Sequence, residues 1–389
     1  MKLKGITLIQ IFAYSCLALS ACNQKGGITK TPSDSIPQKE SITANVAATI
    51  NTSKIQELTN IAKFIEGSAP DSSSKLNKYT QTQEWKAYST EAKHAWTKFD
   101  DMSAKVISWK TAEIPATNNN IGTVFYPFGG PDYLFANVFF PNAKNYVLIG
   151  LENAGTVPQI DATNKDSLKY ILNMYKQSID DVVKLSFFRT LDMKTQLSKK
   201  ALDGTTPIIM LFLAHAGKEI IEVKPMNLND EGILTLATDK KHEAVQIDFR
   251  NPGDSIVRHI IYLSTNLADP SLSKNTPFLK FFEKMDTKNT VSFVKSATYL
   301  MHKSYFSIIR NTVLNKSEMI LQDDSGIAYK FFDKSKWDIT LYGSYIKPIP
   351  LFKDFFEEDL LEAYKKKSKP LDFRYGYSAK SGLLLANKK

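Results

Sequence analysis

Beyond Pro115 the chain consists largely of short apolar runs that are rich in β-branched and aromatic residues and separated by turn residues. Runs of this length and composition are typical of strands. They predict strands at residues 121–128, 134–140, 146–151, 208–214, 219–223, 233–237, 243–249, 255–264, 318–322, 337–342 and 382–386. Because these strands come in groups and do not alternate one by one with helices, the pattern predicts an α+β fold with a mixed, largely antiparallel sheet and packed helices.

Helical periodicity marks the segments around these strands. Apolar residues recur at three- and four-residue steps from Trp85 to Val106, which predicts a long amphipathic helix over residues 81–109. Shorter helices are predicted at 165–177, 179–200, 278–284, 305–314 and 353–366. The sequence shows no internal repeat and no second linker, so we expect one α+β globular domain over residues 54–389, with a helical part at 54–115 and a β-rich part at 116–389.

The N-terminus has the layout of an export signal, with Lys2 and Lys4, an apolar stretch over residues 6–19, and then small residues. The apolar stretch is shorter than the roughly 20 residues that a membrane span needs. Its last four residues, Leu19-Ser20-Ala21-Cys22, resemble the lipobox of bacterial lipoproteins. That resemblance implies a signal peptide over residues 1–21 and a lipid on Cys22 that attaches the protein to a membrane.

Residues 22–53 are rich in Ser, Thr, Asn, Lys and Pro and have no hydrophobic period, which predicts a flexible tether after the lipidated cysteine. Asn23 follows the cysteine where inner-membrane lipoproteins often carry Asp. By analogy with that family, we expect attachment to the outer membrane of a bacterial envelope. Whether the domain faces the periplasm or the cell surface stays open.

Composition excludes several classes of protein. Only Cys16 and Cys22 are present, so a chain cleaved before Cys22 has no thiol for a disulfide, a nucleophile or a zinc ligand. The net charge of +10 is spread along the chain except at Lys365, Lys366, Lys367 and Lys369, and aromatic residues do not interleave with the basic ones as a nucleic-acid groove requires. A solvated helix end or attraction to anionic polymers explains such a run.

No cofactor or metal site is predicted either. The chain has no GxGxxG or Walker loop and no Gly-x-Ser-x-Gly nucleophile elbow. The histidines are scattered without the spacing of a zinc motif: His94, His215, His242, His259 and His302.

The stretch FYPFGGPDYLFANVFFPN, residues 125–142, places aromatic side chains around a Gly-Gly-Pro-Asp turn. This composition suits a well-packed hairpin, because glycine, proline and aspartate favour turns and aromatic residues favour strands. It also suits a binding groove, whose candidate residues would be Tyr126, Phe128, Asp132 and Tyr133.

Carboxylates follow two predicted strands. Glu152 comes directly after one of them, in YVLIGLENAG, and Gln322, Asp323 and Asp324 end another, in ILQDDSG. If the strand at 337–342 pairs with the latter, Asp338 approaches Asp324, and neighbouring carboxylates can raise one pKa enough for acid–base catalysis at neutral pH. Further candidates are His302 as a general base and Tyr342 as a binding residue.

Two resemblances bear on function. Asp-Ser-Gly followed by Asp-x-x-Leu-Tyr-Gly is similar to the aspartates of double-psi barrel murein enzymes, over about 25 residues that depart from their usual Asp-Thr-Gly. YPFGGPD with FFP, YVLIGLE and QDDSG resembles a group of uncharacterised exported lipoproteins, especially from Bacteroidota. The second resemblance implies that these segments, from about Gly122 to the C-terminus, form one unit, and it implies no activity.

Three hypotheses follow. The protein binds an envelope component or small ligand through its soluble domain; or it is a cell-wall glycan hydrolase in which Asp324 and Asp338 are the acid–base pair and Glu152 or His302 assists; or it is a structural scaffold. An enzyme requires carboxylates that converge in a cleft, whereas a binder needs a groove with aromatic and charged groups.

Overall fold

The computed structural model describes residues 51–114, 121–160, 165–185, 203–238, 241–377 and 382–389. The predicted signal peptide, Cys22 and nearly all of the predicted tether lie outside these residues. The helices are α1 (Thr52–Glu66), α2 (Gln83–Glu113), α3 (Tyr133–Phe139), α4 (Lys165–Leu185), α5 (Thr206–His215), α6 (Asp269–Leu272), α7 (Thr276–Lys284), α8 (Ser307–Lys316) and α9 (Glu358–Lys366). The strands are β1 (Thr123–Tyr126), β2 (Asn145–Gly150), β3 (Glu219–Leu228), β4 (Leu234–Leu236), β5 (Ala244–Arg250), β6 (Arg258–Ser264), β7 (Thr290–Val294), β8 (Met319–Gln322), β9 (Trp337–Gly343) and β10 (Gly382–Lys388).

The strands form one ten-stranded sheet in the order β4-β3-β5-β6-β2-β1-β7-β8-β10-β9. The central strands β6, β2, β1, β7 and β8 are mutually parallel, and antiparallel strands flank them on both sides. The predicted α+β class with a mixed sheet is confirmed. The parallel centre was not predicted, because the connection from β2 to β6 contains β3, β4 and β5 and so hides the strand–helix alternation.

Helices cover both faces of the sheet and give two apolar cores. Successive side chains of a strand point to opposite faces; in β1, Val124 and Tyr126 contribute to one core and Phe125 to the other. Helices α1 to α5 pack on the first face, and α6 to α9 pack on the second. The described residues from Asn51 to Lys389 belong to one compact unit.

Two predicted strands are helices. The segment predicted at 134–140 is α3, because the Asp132 carboxylate accepts a hydrogen bond from the Phe135 amide and caps the helix directly after Pro131. The segment predicted at 208–214 is α5, which begins next to Pro207 and is buried on all sides from Thr206 to Leu213. A helix that is apolar all round has no amphipathic period, so its sequence cannot be distinguished from a buried strand.

Other boundaries differ less. The helices predicted at 165–177 and 179–200 are continuous in α4, and residues 186–200 lie outside the described ranges. The helix predicted at 353–366 is a 3₁₀ turn, Pro350–Phe355, followed by α9. Strand β7 was missed. None of the described helices is both long enough and apolar enough to cross a lipid bilayer.

The chain reverses its direction across the sheet between β1 and β7. From β1 it passes through α3 to β2 and later reaches β6, whereas β7 and β8 lie on the other side of β1. Ligands of open α/β sheets bind beyond the carboxyl ends of parallel strands at such a switch point. A ligand site is therefore expected at the loops after β1, β2, β7 and β8.

Candidate functional site

A buried ion pair lies at the switch point. Lys295 follows β7 and Asp132 follows β1, and Lys295 Nζ lies 2.9 Å from Asp132 Oδ2, with side-chain exposures of 0% and 3%. The Tyr126 hydroxyl donates to the same carboxylate oxygen at 2.9 Å, and Lys295 Nζ lies 3.5 Å from the centre of the Phe135 ring. Asp132 thus caps α3 and neutralises a buried lysine at the same time.

Burial opposes both charges of this pair. It raises the pKa of Asp132 and lowers the pKa of Lys295, against the mutual attraction of the two groups. The charge of Asp323 opposes the effect of burial and raises the pKa of Lys295.

Asp323 lies in the turn after β8 and is 2% exposed. Its carboxylate accepts hydrogen bonds from the Ser296 amide at 3.0 Å, the Ser325 amide at 3.1 Å and the Ser325 hydroxyl at 2.5 Å. Burial, together with the charge of Asp324, raises the pKa of Asp323 to about 7. Gln322 closes this turn through two hydrogen bonds with the backbone of Ile327. Its side-chain Nε2 donates to the Ile327 carbonyl, and its Oε1 accepts from the Ile327 amide.

A C-terminal segment covers the switch point. The Tyr375 hydroxyl donates to the Val294 carbonyl at 3.2 Å, and the Tyr377 hydroxyl donates to the Ser296 carbonyl at 2.7 Å. A Cβ atom on Gly376 would lie 2.0 Å from Asp323 Oδ2, so only glycine permits this approach. The segment packs over Asp323, which leaves the accessible surface on the side of β8 and β9.

An open cleft of about 670 Å³ lies on that side. The residues that line it belong to segments that come after three strands in the chain. His302 comes after β7, Lys330 after β8 and residues 354–362 after β9. The lining residues are His302, Ala328, Lys330, Asp354, Phe355, Phe356, Glu357, Glu358, Asp359 and Glu362.

His302 and Glu357 face each other in this cleft, with Nε2 and Oε1 3.9 Å apart. Burial raises the pKa of Glu357 to about 8, although the Tyr329 amide donates to its carboxylate at 2.7 Å. Burial also lowers the pKa of His302 to about 4, opposed by a hydrogen bond from its imidazole to the Asp324 backbone. Near neutral pH the pair is therefore an uncharged imidazole beside a mostly protonated carboxyl group.

Asp324 connects the cleft to the buried turn. Its carboxylate accepts a hydrogen bond from the Tyr299 hydroxyl, and burial raises its pKa. A cavity of about 10 Å³, room for roughly one water molecule, is lined by Gln322, Asp323, Asp324 and Glu357 among others. Three carboxyl groups with raised pKa values thus converge beyond the end of β8.

Asp338 does not belong to this group, and the prediction that it pairs with Asp324 is wrong. In the antiparallel register of β10, Asn387 lies opposite both Met319 and Asp338. Asp338 is therefore level with the start of β8, while Asp324 lies beyond its end, about 16 Å away along the strands. Asp338 is also exposed on the edge strand.

Glu152 lies at the edge of the sheet where the parallel strands end, but its side chain forms a hydrogen bond within the turn after β2. Its carboxylate accepts from the Leu151 amide at 3.1 Å, and the Tyr262 hydroxyl donates to its backbone carbonyl at 2.8 Å. A Cβ atom added to Gly130 of the β1 loop would lie 3.7 Å from the same carboxylate. Glu152 does not line the cleft.

Three predicted binding residues also have structural contacts. Tyr133 is buried against Tyr146 and Phe249 in the core. Phe128, at φ 63°, packs on Phe306. Tyr342 donates to Glu113 of α2 at 2.7 Å, on the face of the sheet opposite to α9.

Three further residues of the site, Lys295, Tyr299 and Glu357, were not predicted from the sequence. Lys295 follows the strand that was missed, and Glu357 lies in an acidic run assigned to the interior of a helix. A local signal existed for Glu357, because the apolar pair Phe355-Phe356 precedes the acids and α9 begins only at Glu358.

Within the described ranges, no three His, Cys, Asp or Glu side chains are grouped so that they could hold a metal ion. No protein-family model, no curated protein and no solved structure matches the chain. The resemblance to exported lipoproteins therefore stays a prediction.

The ion pair at the switch point gives a stability prediction. Lys295→Met leaves the Asp132 carboxylate buried without its cation, and we expect it to lower the free energy of unfolding by about 3–5 kcal/mol. Asp132→Asn combined with Lys295→Met removes both charges and keeps an oxygen that can cap α3. Chemical denaturation of the double variant should show it closer to the wild type than Lys295→Met alone; additive losses would show that the two side chains are not coupled.

Glu357 gives a pH prediction. Its pKa is raised from the usual 4.5 to about 8, so between these values the folded chain retains a proton that the unfolded chain has lost. Its contribution to the free energy of unfolding therefore falls as pH rises through that window. Glu357→Gln removes this dependence, and its stability relative to the wild type should rise by on the order of 3 kcal/mol between pH 5 and 8.

Glu362→Gln is the matched control, because Lys365 lowers the pKa of this cleft carboxylate. It should show no gain in stability with rising pH. An equal trend in both variants, measured by denaturation across the same pH series, would contradict the assignment to Glu357.

Proposed function

We propose that this chain is an exported protein, lipid-anchored to the bacterial envelope through Cys22, whose α+β domain binds a small ligand or an envelope component. The observation that carries the proposal is the open cleft of about 670 Å³ beyond the carboxyl ends of β7, β8 and β9. Its position agrees with the general placement of ligand sites in open α/β sheets, and its volume falls in the usual range for ligand pockets.

Backbone strain around the cleft supports a functional role. Ser296, Thr298 and Tyr299 have φ between 53° and 56°, a conformation that is unfavourable for residues with a side chain. Each such residue costs on the order of 1–3 kcal/mol, and such costs are typical of functional sites. Here the strained loop after β7 brings Tyr299 and His302 to the cleft.

The anchor is supported by the sequence alone. The basic, apolar and small-residue order of residues 1–21 before Cys22 suits cleavage and lipidation, and the predicted tether over residues 22–53 is long enough to separate a folded domain from a membrane.

Glycan hydrolysis is the second candidate, with a different residue pair from the one predicted. Glu357 lines the cleft and retains its proton at neutral pH, as a general acid must. Asp324, close enough for its charge to raise the pKa of Glu357, is the partner that the geometry offers in place of Asp338.

The anchor predicts a change of fraction. Cys22→Ser should move the full chain from the membrane fraction to the soluble fraction after cell lysis in high salt. Cys16→Ser, which changes the other cysteine, should leave the wild-type distribution unchanged. A Cys22→Ser protein that still sediments with membranes in high salt would show that lipid on this residue is not the anchor.

The cleft predicts local protection. With soluble cell-wall fragments or a small-molecule extract of the same cells as probes, amide hydrogen exchange should slow in residues 328–330 and 354–362 and remain unchanged in α1. For the hydrolase candidate, wild-type protein should also release reducing ends from cell-wall glycan, and Glu357→Gln should keep the protection but lose the release. If neither protection nor release is observed, both candidates are contradicted.

A further inference from the structure

We propose that the cleft binds an aliphatic polyamine, that is, a small organic cation with ammonium groups spaced along an apolar chain. This inference rests on the proposed binding function and names its ligand class. It is carried by three features of the cleft: unpaired carboxylates, partly exposed aromatic rings and a buried imidazole nitrogen without a hydrogen-bond partner.

The cleft is acidic in a chain whose net charge is +10. Asp354, Glu358 and Asp359 are exposed along it, and none of them forms an ion pair with another described residue. Glu362, in contrast, is paired with Lys365 at 2.8 Å. Unpaired carboxylates spread along one groove repel anions and attract a ligand with several positive groups.

Aromatic rings give the cleft an apolar surface. Phe355 is stacked on Tyr299 with the ring centres 5.2 Å apart, and Phe356 is stacked on Tyr345 with the centres 6.1 Å apart. Phe356 is 45% exposed. Such rings pack against methylene groups and attract ammonium groups through their faces.

His302 supplies an acceptor at the inner end of the cleft. Its side chain is 8% exposed, and its Nε2 is buried without a hydrogen-bond partner. In a neutral imidazole whose Nδ1 carries the proton, the unpartnered Nε2 offers a lone pair. An ammonium group is a donor that satisfies this nitrogen and approaches the Glu357 carboxyl group as well.

Binding should release protons from Glu357, because a cation beside a carboxyl group lowers its pKa. The groups that face Glu357 are His302, Lys330, Asp324, Asp359, Tyr345 and the Tyr329 amide. Of these, Asp359 and Asp324 raise its pKa and Lys330 lowers it.

The test is calorimetric titration of the full chain in detergent solution with spermidine at low salt. We expect saturable binding, a release of a fraction of a proton per spermidine at pH 7, and no binding of the uncharged triethylene glycol. Asp354→Asn combined with Asp359→Asn should weaken binding at least tenfold. Glu357→Gln should abolish the proton release, which is measured by comparing buffers of different ionisation enthalpy.

The matched control is Asp101→Asn combined with Asp338→Asn, which removes the same charge from exposed positions outside the cleft. It should bind spermidine within twofold of the wild type. Equal losses in the two double variants would show general attraction of cations and would overturn the proposal.

The proposed function and this inference fail in different ways. Protection of the cleft by cell-wall fragments without any spermidine binding would leave a binding site and reject the polyamine class. Absence of both would reject the site itself.

Discussion

The buried contact between Lys295 and Asp132 determines how the carboxyl edge of the sheet is organised. It links the loops after β1 and β7, the two strands between which the chain reverses its direction. The same carboxylate begins α3, and the same lysine faces Asp323 after β8. Because a buried ion is costly without a partner, the loops after β1 and β7 must keep their relative positions for the Lys295–Asp132 pair to be tolerated.

In this arrangement the side chains and loops of the protein fill the switch point itself. The accessible surface lies beside it, on the side of β8 and β9. Tyr375 and Gly376 pack over the turn that holds Asp323. The open cleft lies next to that turn, where the strained loop after β7 presents Tyr299 and His302. A rigid buried network thus supports side chains whose own surroundings are partly open, which is the usual relation between a scaffold and a site.

The elements that could be predicted from the sequence are those with one solvent-exposed face and one buried face. Helix α2 has an exposed face, so its period is visible in the sequence. Helix α5 is buried from Thr206 to Leu213, and α3 is buried except at Asn137 and Val138. The same scarcity of polar positions that makes them core elements makes them resemble strands. The parallel centre was hidden because strand order depends on contacts between segments far apart in the chain.

For the site, sequence found residues whose role is local and missed those whose role depends on register. Asp132, Asp323 and Asp324 follow strands, and their turns bring them to one edge. Asp338 lies at the start of its strand, and only the register of β10 shows that it belongs at the other end of the sheet. Lys295 has no local signature, since its importance comes from Asp132 in the loop after β1. The only local signal for Glu357 is its place after Phe355-Phe356 and before α9, and its role depends on residues that follow β8.

The carboxyl groups at this edge are stabilised in two different ways. Toward β1, the buried Lys295 supplies a positive charge beside Asp132. Toward β9, Asp324 and Glu357 form no ion pair with a lysine or arginine of the described residues. Burial raises the pKa of both, and Glu357, with a pKa of about 8, is mostly protonated near neutral pH in the free protein. A bound proton is easily exchanged for another cation, whereas a buried lysine is not. The edge is therefore fixed on one side and open to a positively charged ligand on the other.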